Sequence, residues 1–240
     1  MKDTSEQSIK PVLLVVTSNG VKGESGIPTG FWMSELTHPA AKLDEAHIPF
    51  ELASIKGGEP PIDGFDLEDE TNARYWNDPA FKQALTHSKR LGEVDASRYS
   101  GIFFAGGHGT MWDFPESEAV RKVTREIYEQ GGVVAAVCHG PAALVNVTLS
   151  DGRYLVAGKR VAAFTNEEEA EVKATDIVPF LLATALENRG ALHQPAANWT
   201  SNVVVDGRVV TGQNPQSARG VGEAIRDLVI AANVPVRTST

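Results

Sequence analysis

One residue in this chain of 240 has the chemistry of a soft nucleophile, Cys138, and a histidine follows it directly. The local order Ala136-Val137-Cys138-His139-Gly140 sets a thiol among small and apolar residues. The run Gly131 to Val137 reads as a strand, and Gly140-Pro141-Ala142-Ala143-Leu144 as the start of a helix, where a first-turn proline is tolerated. A nucleophile on such a sharp strand-to-helix turn stands exposed above a sheet, an elbow with sulfur in place of oxygen. The helix's partial positive charge predicts a favoured thiolate, and the His139 N–H can face an oxyanion developing on a bound carbonyl. The competing reading is a small cysteine that merely fills space in an apolar strand.

Three further segments carry groups that could serve that thiol. At a second strand end, Gly106-Gly107-His108-Gly109-Thr110 lets the backbone approach a ligand closely and can add an N–H to an oxyanion hole. A phosphate or dinucleotide loop is the alternative there, but no G-x-G-x-x-G or Walker pattern completes it. Glu35 follows the loop after the first strand, within Gly30-Phe31-Trp32-Met33-Ser34-Glu35. On its own it reads as a solvated helix glutamate. The run Glu167-Glu168-Glu169 follows another strand, where one carboxylate could orient His139; the helix dipole favours acidic residues there, so at least two of the three read as solvated.

These groups need a sheet to hold them. Short apolar, β-branched runs recur at residues 11–18, 48–54, 100–106, 131–138 and 159–164, and each reads as a strand buried on both faces. Segments with helical spacing alternate with them, notably FWMSELTHPAAKLDEA and SEAVRKVTREIYEQGG, the second ending in glycines suited to a C-cap. This βαβ rhythm predicts an α/β fold: a three-layer sandwich whose mostly parallel, flavodoxin-like sheet carries helices on both faces and gathers reacting groups beyond its C-terminal strand ends. The polar, Pro/Gly-punctuated stretch at about 57–98 reads as an insertion on the sheet rather than part of it. Near the C-terminus, NVVVDGRVVTG predicts a hairpin about Asp206-Gly207 at a sheet edge. At this length one domain spanning 1–240 is expected.

Composition removes whole classes of function. Lys and Arg total 22 against 31 Asp and Glu, a net charge of −9, which disfavours nucleic acid and anionic membrane surfaces as partners. The apolar run Val12 to Val16 is too short for a signal core or a membrane span, so a cytoplasmic location is expected. One cysteine excludes an internal disulfide and a cysteine-rich metal site.

Taken together, TGFWMSELTHP, KGGEPPID, YSGIFFAGGHGTMWDFP, GGVVAAVCHGPAAL, GKRVAAFTNEEEAE and VTGQNPQSA resemble, in order and over nearly the whole chain, the ThiJ/PfpI superfamily. Its class I glutamine-amidotransferase-like fold includes a glutathione-independent glyoxalase (glyoxalase III) branch, and that branch is the nearest match. The resemblance implies Cys138 as nucleophile, His139 as its neighbour, Glu35 as the active-site glutamate and Glu169 as the triad carboxylate, a role that a one-residue slip would give to Glu168. It also implies an oxyanion-side loop on Gly106, Gly107 and His108. Histidine directly after cysteine departs from the amidotransferase pattern. The implied reaction converts methylglyoxal-like 2-oxoaldehydes to 2-hydroxy acids such as lactate without cofactor or metal. A thiolate at Cys138 forms a hemithioacetal, and Glu35, its pKa raised beside Trp32 and Phe31, moves a proton from C1 to C2. Trp32, Trp112 and the insertion after Gly57 are expected to wall the pocket, and a homodimer is the expected assembly. The same residues would also suit a cysteine hydrolase, deglycase or peptidase, or a redox sensor, and superfamily relatives include holdase-type chaperones.

Overall fold

The computed structural model describes residues 9–233. Its strands are β1 (Val12–Val16), β2 (Phe31–Trp32), β3 (Phe50–Ser54), β4 (Ile62–Asp63), β5 (Lys89–Arg90), β6 (Gly101–Phe104), β7 (Val133–Val137), β8 (Arg160–Val161), β9 (Leu192–His193), β10 (Val203–Asp206) and β11 (Val209–Gly212). Its α-helices are α1 (Met33–Glu45), α2 (Glu70–Trp76), α3 (Pro79–Thr86), α4 (Thr110–Asp113), α5 (Glu118–Glu129), α6 (Asn166–Glu171), α7 (Leu182–Asn188) and α8 (Ala218–Asn233). Seven strands form one sheet in the order β10-β11-β7-β6-β1-β3-β5, parallel except where β10 runs against β11.

The pleat explains why β1, β6 and β7 are apolar throughout. Leu13, Val15, Ile102, Phe104, Val134 and Ala136 point into one core with Val120, Val123 and Ile127 of α5 and Leu182 and Leu186 of α7. Their alternates Val12, Leu14, Val16, Phe103, Ala135 and Val137 enter a second core with Leu36 and Leu43 of α1, Phe81 and Leu85 of α3, and Val221 and Ile225 of α8. Both faces of the sheet are therefore dry, as a parallel sheet under two helix layers requires. The hairpin turns at Gly207 with φ 60°, and β10 is the half-exposed edge.

Two expectations are corrected. The run 159–164 contributes only the two-residue β8, paired with β9 outside the main sheet, because the Ala162 N–H donates to the Thr211 hydroxyl (2.8 Å) instead of to a neighbouring strand. The stretch 57–98 is not wholly apart from the sheet: it contains α2 and α3, and its β5 is the edge strand opposite β10. Among the described residues no helix is long and apolar enough to cross a membrane.

Candidate active site

The ends of β6 and β7 carry the chemistry. Cys138 leaves β7 with φ 60°, a left-handed conformation costly for a residue bearing a β-carbon, and the surrounding backbone enforces it. Its N–H donates to the Gly212 carbonyl (2.9 Å) and its carbonyl accepts from Phe164 N–H (3.0 Å). A β-carbon on Gly140 would lie 2.3 Å from the Phe104 carbonyl oxygen, so only glycine lets the chain turn there. The elbow continues into a single 3-10 segment, Gly140–Leu144, not the α-helix expected.

Glu35, on the first turn of α1, is fully buried against this elbow. Gly106 separates them: a β-carbon there would sit 2.3 Å from Glu35 Oε2 and 2.9 Å from Cys138 Cβ. Neither Glu35 oxygen completes a hydrogen bond in the protein. Burial pushes its carboxyl up to about 8, while Cys138 and the Gly106 N–H, the nearest donors, only partly offset that. The Cys138 thiol is likewise pushed up, first by burial and then by the Glu35 charge, with the His139 N–H pulling the other way. The sequence expectation of a thiolate favoured by a helix dipole is thereby corrected: the helix is one short turn, and the sulfur is buried beside a carboxyl group.

On the other side of the thiol the Glu169 carboxylate is fully bonded. His139 Nδ1 lies 3.4 Å from Cys138 Sγ, and its Nε2–H donates to Glu169 Oε2 at 2.6 Å. His108 Nε2–H donates to Glu169 Oε1, also at 2.6 Å, and the two imidazoles lie 4.1 Å apart. Burial alone would raise Glu169, but His139 and the two imidazole hydrogen bonds hold it down at about 2. An ionised carboxylate only accepts, which fixes both rings with Nε2 as donor and turns the other nitrogen of His139 toward the sulfur. His108 is lowered to about 4, by burial and then by its neighbour His139.

The register of the acidic run is now plain. Glu167 is exposed, whereas Glu168 and Glu169 are buried, so one of the three is solvated and not two. Glu168 closes a capping box with Thr165 and accepts from Trp199 N–H (2.9 Å), Gln213 Nε2 (3.1 Å) and Asn214 Nδ2 (3.0 Å). It ties the 196–214 region to α6 and does not reach His139. This is the task of the QNPQS segment, for which the residues alone gave no signal.

These groups share a cavity of about 350 Å³ lined by Glu35, Gly107, His108, Cys138 and His139 with an apolar wall of Trp32, Phe164, Val172 and Trp199. Gly107 has φ 101°, and among the described residues its N–H has no protein acceptor. It is thus free to donate to a bound oxygen, while the Gly106 N–H turns toward Glu35 and the His139 N–H toward the Cys138 sulfur. Thr110, overlooked in the sequence, joins the two loops: its hydroxyl reaches the carbonyls of Gly107 (2.9 Å) and His139 (3.0 Å). Trp112 does not line the cavity and packs near Gly23 instead. The 57–98 stretch stays behind the wall: β4 pairs with β2, and Gly64 lies close against the Trp32 indole. Trp32 lines the cavity as expected, and Phe164 and Trp199, edge-on at 5.7 Å, stand where Trp112 and the insertion were expected.

His108, His139 and Glu169 offer three potential metal-ligand atoms within 4.8 Å of one another. Each nitrogen stands 2.6 Å from its oxygen, a direct hydrogen-bond distance and shorter than the roughly 3 Å that ligands on a shared zinc ion keep. The trio reads as an orienting network.

The family model described as the DJ-1/PfpI family matches residues 27–227. Glyoxalase 3 of Candida albicans is 33% identical over 232 residues, covering 89% of this chain and 96% of its own, and the glutathione-independent glyoxalase HSP31 of Saccharomyces cerevisiae is 34% identical, covering 91% and 97%. Among solved structures, the Francisella tularensis rapid encystment protein of 24 kDa superposes with a TM-score of 0.89 at 42% identity over 92% of this chain and 99% of that one. The structure of glyoxalase III from Candida albicans superposes with 0.85 at 32% identity, over 92% and 98%. The match of a family model over most of the chain, together with the same fold in these relatives, makes this chain a member of the DJ-1/PfpI family.

Proposed function

We propose that this protein is a glutathione-independent glyoxalase that converts 2-oxoaldehydes of the methylglyoxal type to 2-hydroxy acids, with Cys138 as nucleophile, Glu35 as the proton carrier, and His139 with Glu169 as base and orienter. One observation carries the reading: a wholly buried carboxyl with no hydrogen-bond partner faces the thiol across a single glycine. A cysteine hydrolase or peptidase would use Cys138, His139 and Glu169 and leave that buried acid without a task, although keeping it unpaired is costly. Proton transfer between adjacent carbons requires such a group, titrating near neutral pH.

The steps balance without an outside oxidant or reductant. The Cys138 sulfur bonds to the aldehyde carbon C1 as its proton passes to His139 Nδ1 and on to the new C1 oxygen, giving a hemithioacetal. The Gly107 N–H stabilises charge on that oxygen. The Glu35 carboxylate takes the proton from C1, the electron pair forming the C1–C2 double bond of an ene-diolate with its charge on the C2 oxygen. Glu35 then returns the proton to C2, and the C1 hydroxyl proton passes to the C2 oxygen as C1 becomes the thioester carbonyl. Water cleaves the C–S bond, releasing the 2-hydroxy acid and the thiol.

A single domain over 1–240, a cytoplasmic location and a homodimer belong to the same reading. They rest on chain length, on a lone free thiol and on the prevalence of two-fold assemblies. Incubation of the purified protein with methylglyoxal in the absence of glutathione tests the function. Aldehyde should disappear and lactate should form in equal amounts; untouched aldehyde with folded protein overturns the proposal. Sedimentation at micromolar concentration tests the dimer.

A further inference from the structure

His139 has one nitrogen committed to Glu169 and the other facing sulfur. During thioester hydrolysis that second nitrogen is needed where the C–S bond breaks, to return a proton to the leaving thiolate. A second imidazole stands beside it. His108 lines the same cavity as Cys138, its Nε2–H is anchored on the other oxygen of Glu169, and its Nδ1 makes no hydrogen bond in the protein and is not sealed from solvent. We propose that His108 is the base of the second half-reaction: its Nδ1 takes a proton from water as the water oxygen bonds to the thioester carbon.

The step rests on the glyoxalase reading above. Water supplies the oxygen and gives one proton to His108 Nδ1, the tetrahedral adduct collapses with cleavage of the C–S bond, and the proton held on His108 passes by way of His139 Nδ1 to the departing sulfur. The acid leaves and both imidazoles return to their starting forms. The held tautomer matters here: Glu169 accepts from both rings, so one carboxylate presents two basic nitrogens, one toward sulfur and one toward the cavity. Burial and the neighbouring His139 keep His108 unprotonated at neutral pH, as a base must be. His139 and Glu169 serve both half-reactions, whereas His108 serves only the second.

The test separates the halves. His108→Gln keeps an N–H for Glu169 and removes the base. With methylglyoxal and no glutathione, it should consume about one aldehyde per chain at near the unaltered rate and then release lactate about 10²-fold more slowly or worse. The adduct should sit on Cys138, survive denaturation and yield a hydroxamate with hydroxylamine, as a thioester does and a reversible hemithioacetal does not. His108→Ala should regain lactate release with added imidazole. Unchanged turnover in His108→Gln overturns the inference. So does loss of the initial burst together with turnover, which would make His108 a positioning residue for Glu169. Aldehyde left untouched by the unaltered protein would bring down the glyoxalase reading itself.

Discussion

Two buried glutamates serve one cavity, Glu35 lining it and Glu169 standing behind the imidazoles of His108 and His139, and they are held in opposite states. Glu35 has burial and no completed hydrogen bond, and is pushed up to about 8. Glu169 has comparable burial and two imidazole donors at 2.6 Å, and is held near 2. Burial alone raises a carboxyl; donors decide whether it stays raised. The carboxylate with satisfied hydrogen bonds only orients its two imidazoles, because it is too weak a base to take a proton from carbon. The unsatisfied carboxyl can carry protons, and the thiol sits between the two.

The hardest break is the nucleophile. Cys138→Ala should reduce aldehyde consumption to the uncatalysed rate while leaving the fold intact, since a methyl group fits where the sulfur lies; retained turnover would end the covalent mechanism. Next comes Glu35→Gln, which keeps shape and removes basicity. Its kcat should fall by about 10²–10⁴-fold, the usual cost of losing a general acid–base. In the unaltered protein kcat should climb with pH, reach half its maximum near 8 and level off above about 9, since the basic form of Glu35 is the one that acts. A flat profile from pH 6 to 9 would assign the proton transfer elsewhere.

The same comparison shows what could be read from residues alone. Buried strands were legible because β1, β6 and β7 lack polar positions, and the elbow because Cys138 is flanked by residues that allow a tight turn. The run 159–164 misled because its apolar residues are buried beneath β11 without pairing in the main sheet, so composition matched a strand and the hydrogen bonds did not. The family resemblance points to Glu169 but leaves Glu168 open, since nothing local distinguishes the two and the partners of Glu168 lie 45 and 46 residues away at Gln213 and Asn214. The raised thiol was illegible for a related reason: the residues predict a helix after Cys138 that is only a 3-10 segment, and the resemblance names Glu35 without showing how completely the thiol and the carboxyl are buried together. Trp199 joins the wall only because a distant loop folds over Phe164.

Stability should report the two states with opposite signs. Glu35 has a folded pKa above its usual 4.5, so its contribution is fully present below about pH 4.5 and is lost as pH rises through 8. Glu35→Gln should therefore become progressively more stable than the parent from pH 5 to pH 9, by on the order of 2–4 kcal/mol in urea titrations. Glu169 has a depressed pKa, so its contribution is present above 4.5 and lost as pH falls toward 2. Glu169→Gln should be less stable by about 2–3 kcal/mol at pH 7, with the gap closing in acid. Parallel pH trends in the two variants would contradict the comparison.

A smaller kinetic effect sharpens the orienting wall. His139→Ala should cost more activity than Glu169→Ala, and the double variant little more than His139→Ala alone, because an orienter has nothing to orient once the ring is gone. Glu168→Ala should instead loosen the 196–214 region and lower thermal stability, with any fall in activity following the loss of fold. Full additivity of the His139 and Glu169 losses would separate residues that the 2.6 Å contact joins.

The smallest effect concerns the thiol itself. Burial and then the Glu35 charge raise Cys138, so iodoacetamide should react with the unaltered protein more slowly at pH 7 than with a free thiol, although the sulfur faces a cavity. Only the second of those causes is removed in Glu35→Gln. Burial remains, the negative charge does not, and the His139 N–H still favours thiolate. Alkylation of that variant at pH 9, where Glu35 is ionised in the parent, should therefore be faster by about threefold to tenfold, within the one pKa unit that a removed neighbouring charge commonly gives back. At pH 6, where Glu35 is protonated, parent and variant should react alike. An equal rate at both pH values would show that the carboxyl and the sulfur do not sense one another, and the proton-carrying wall would lose its link to the nucleophile.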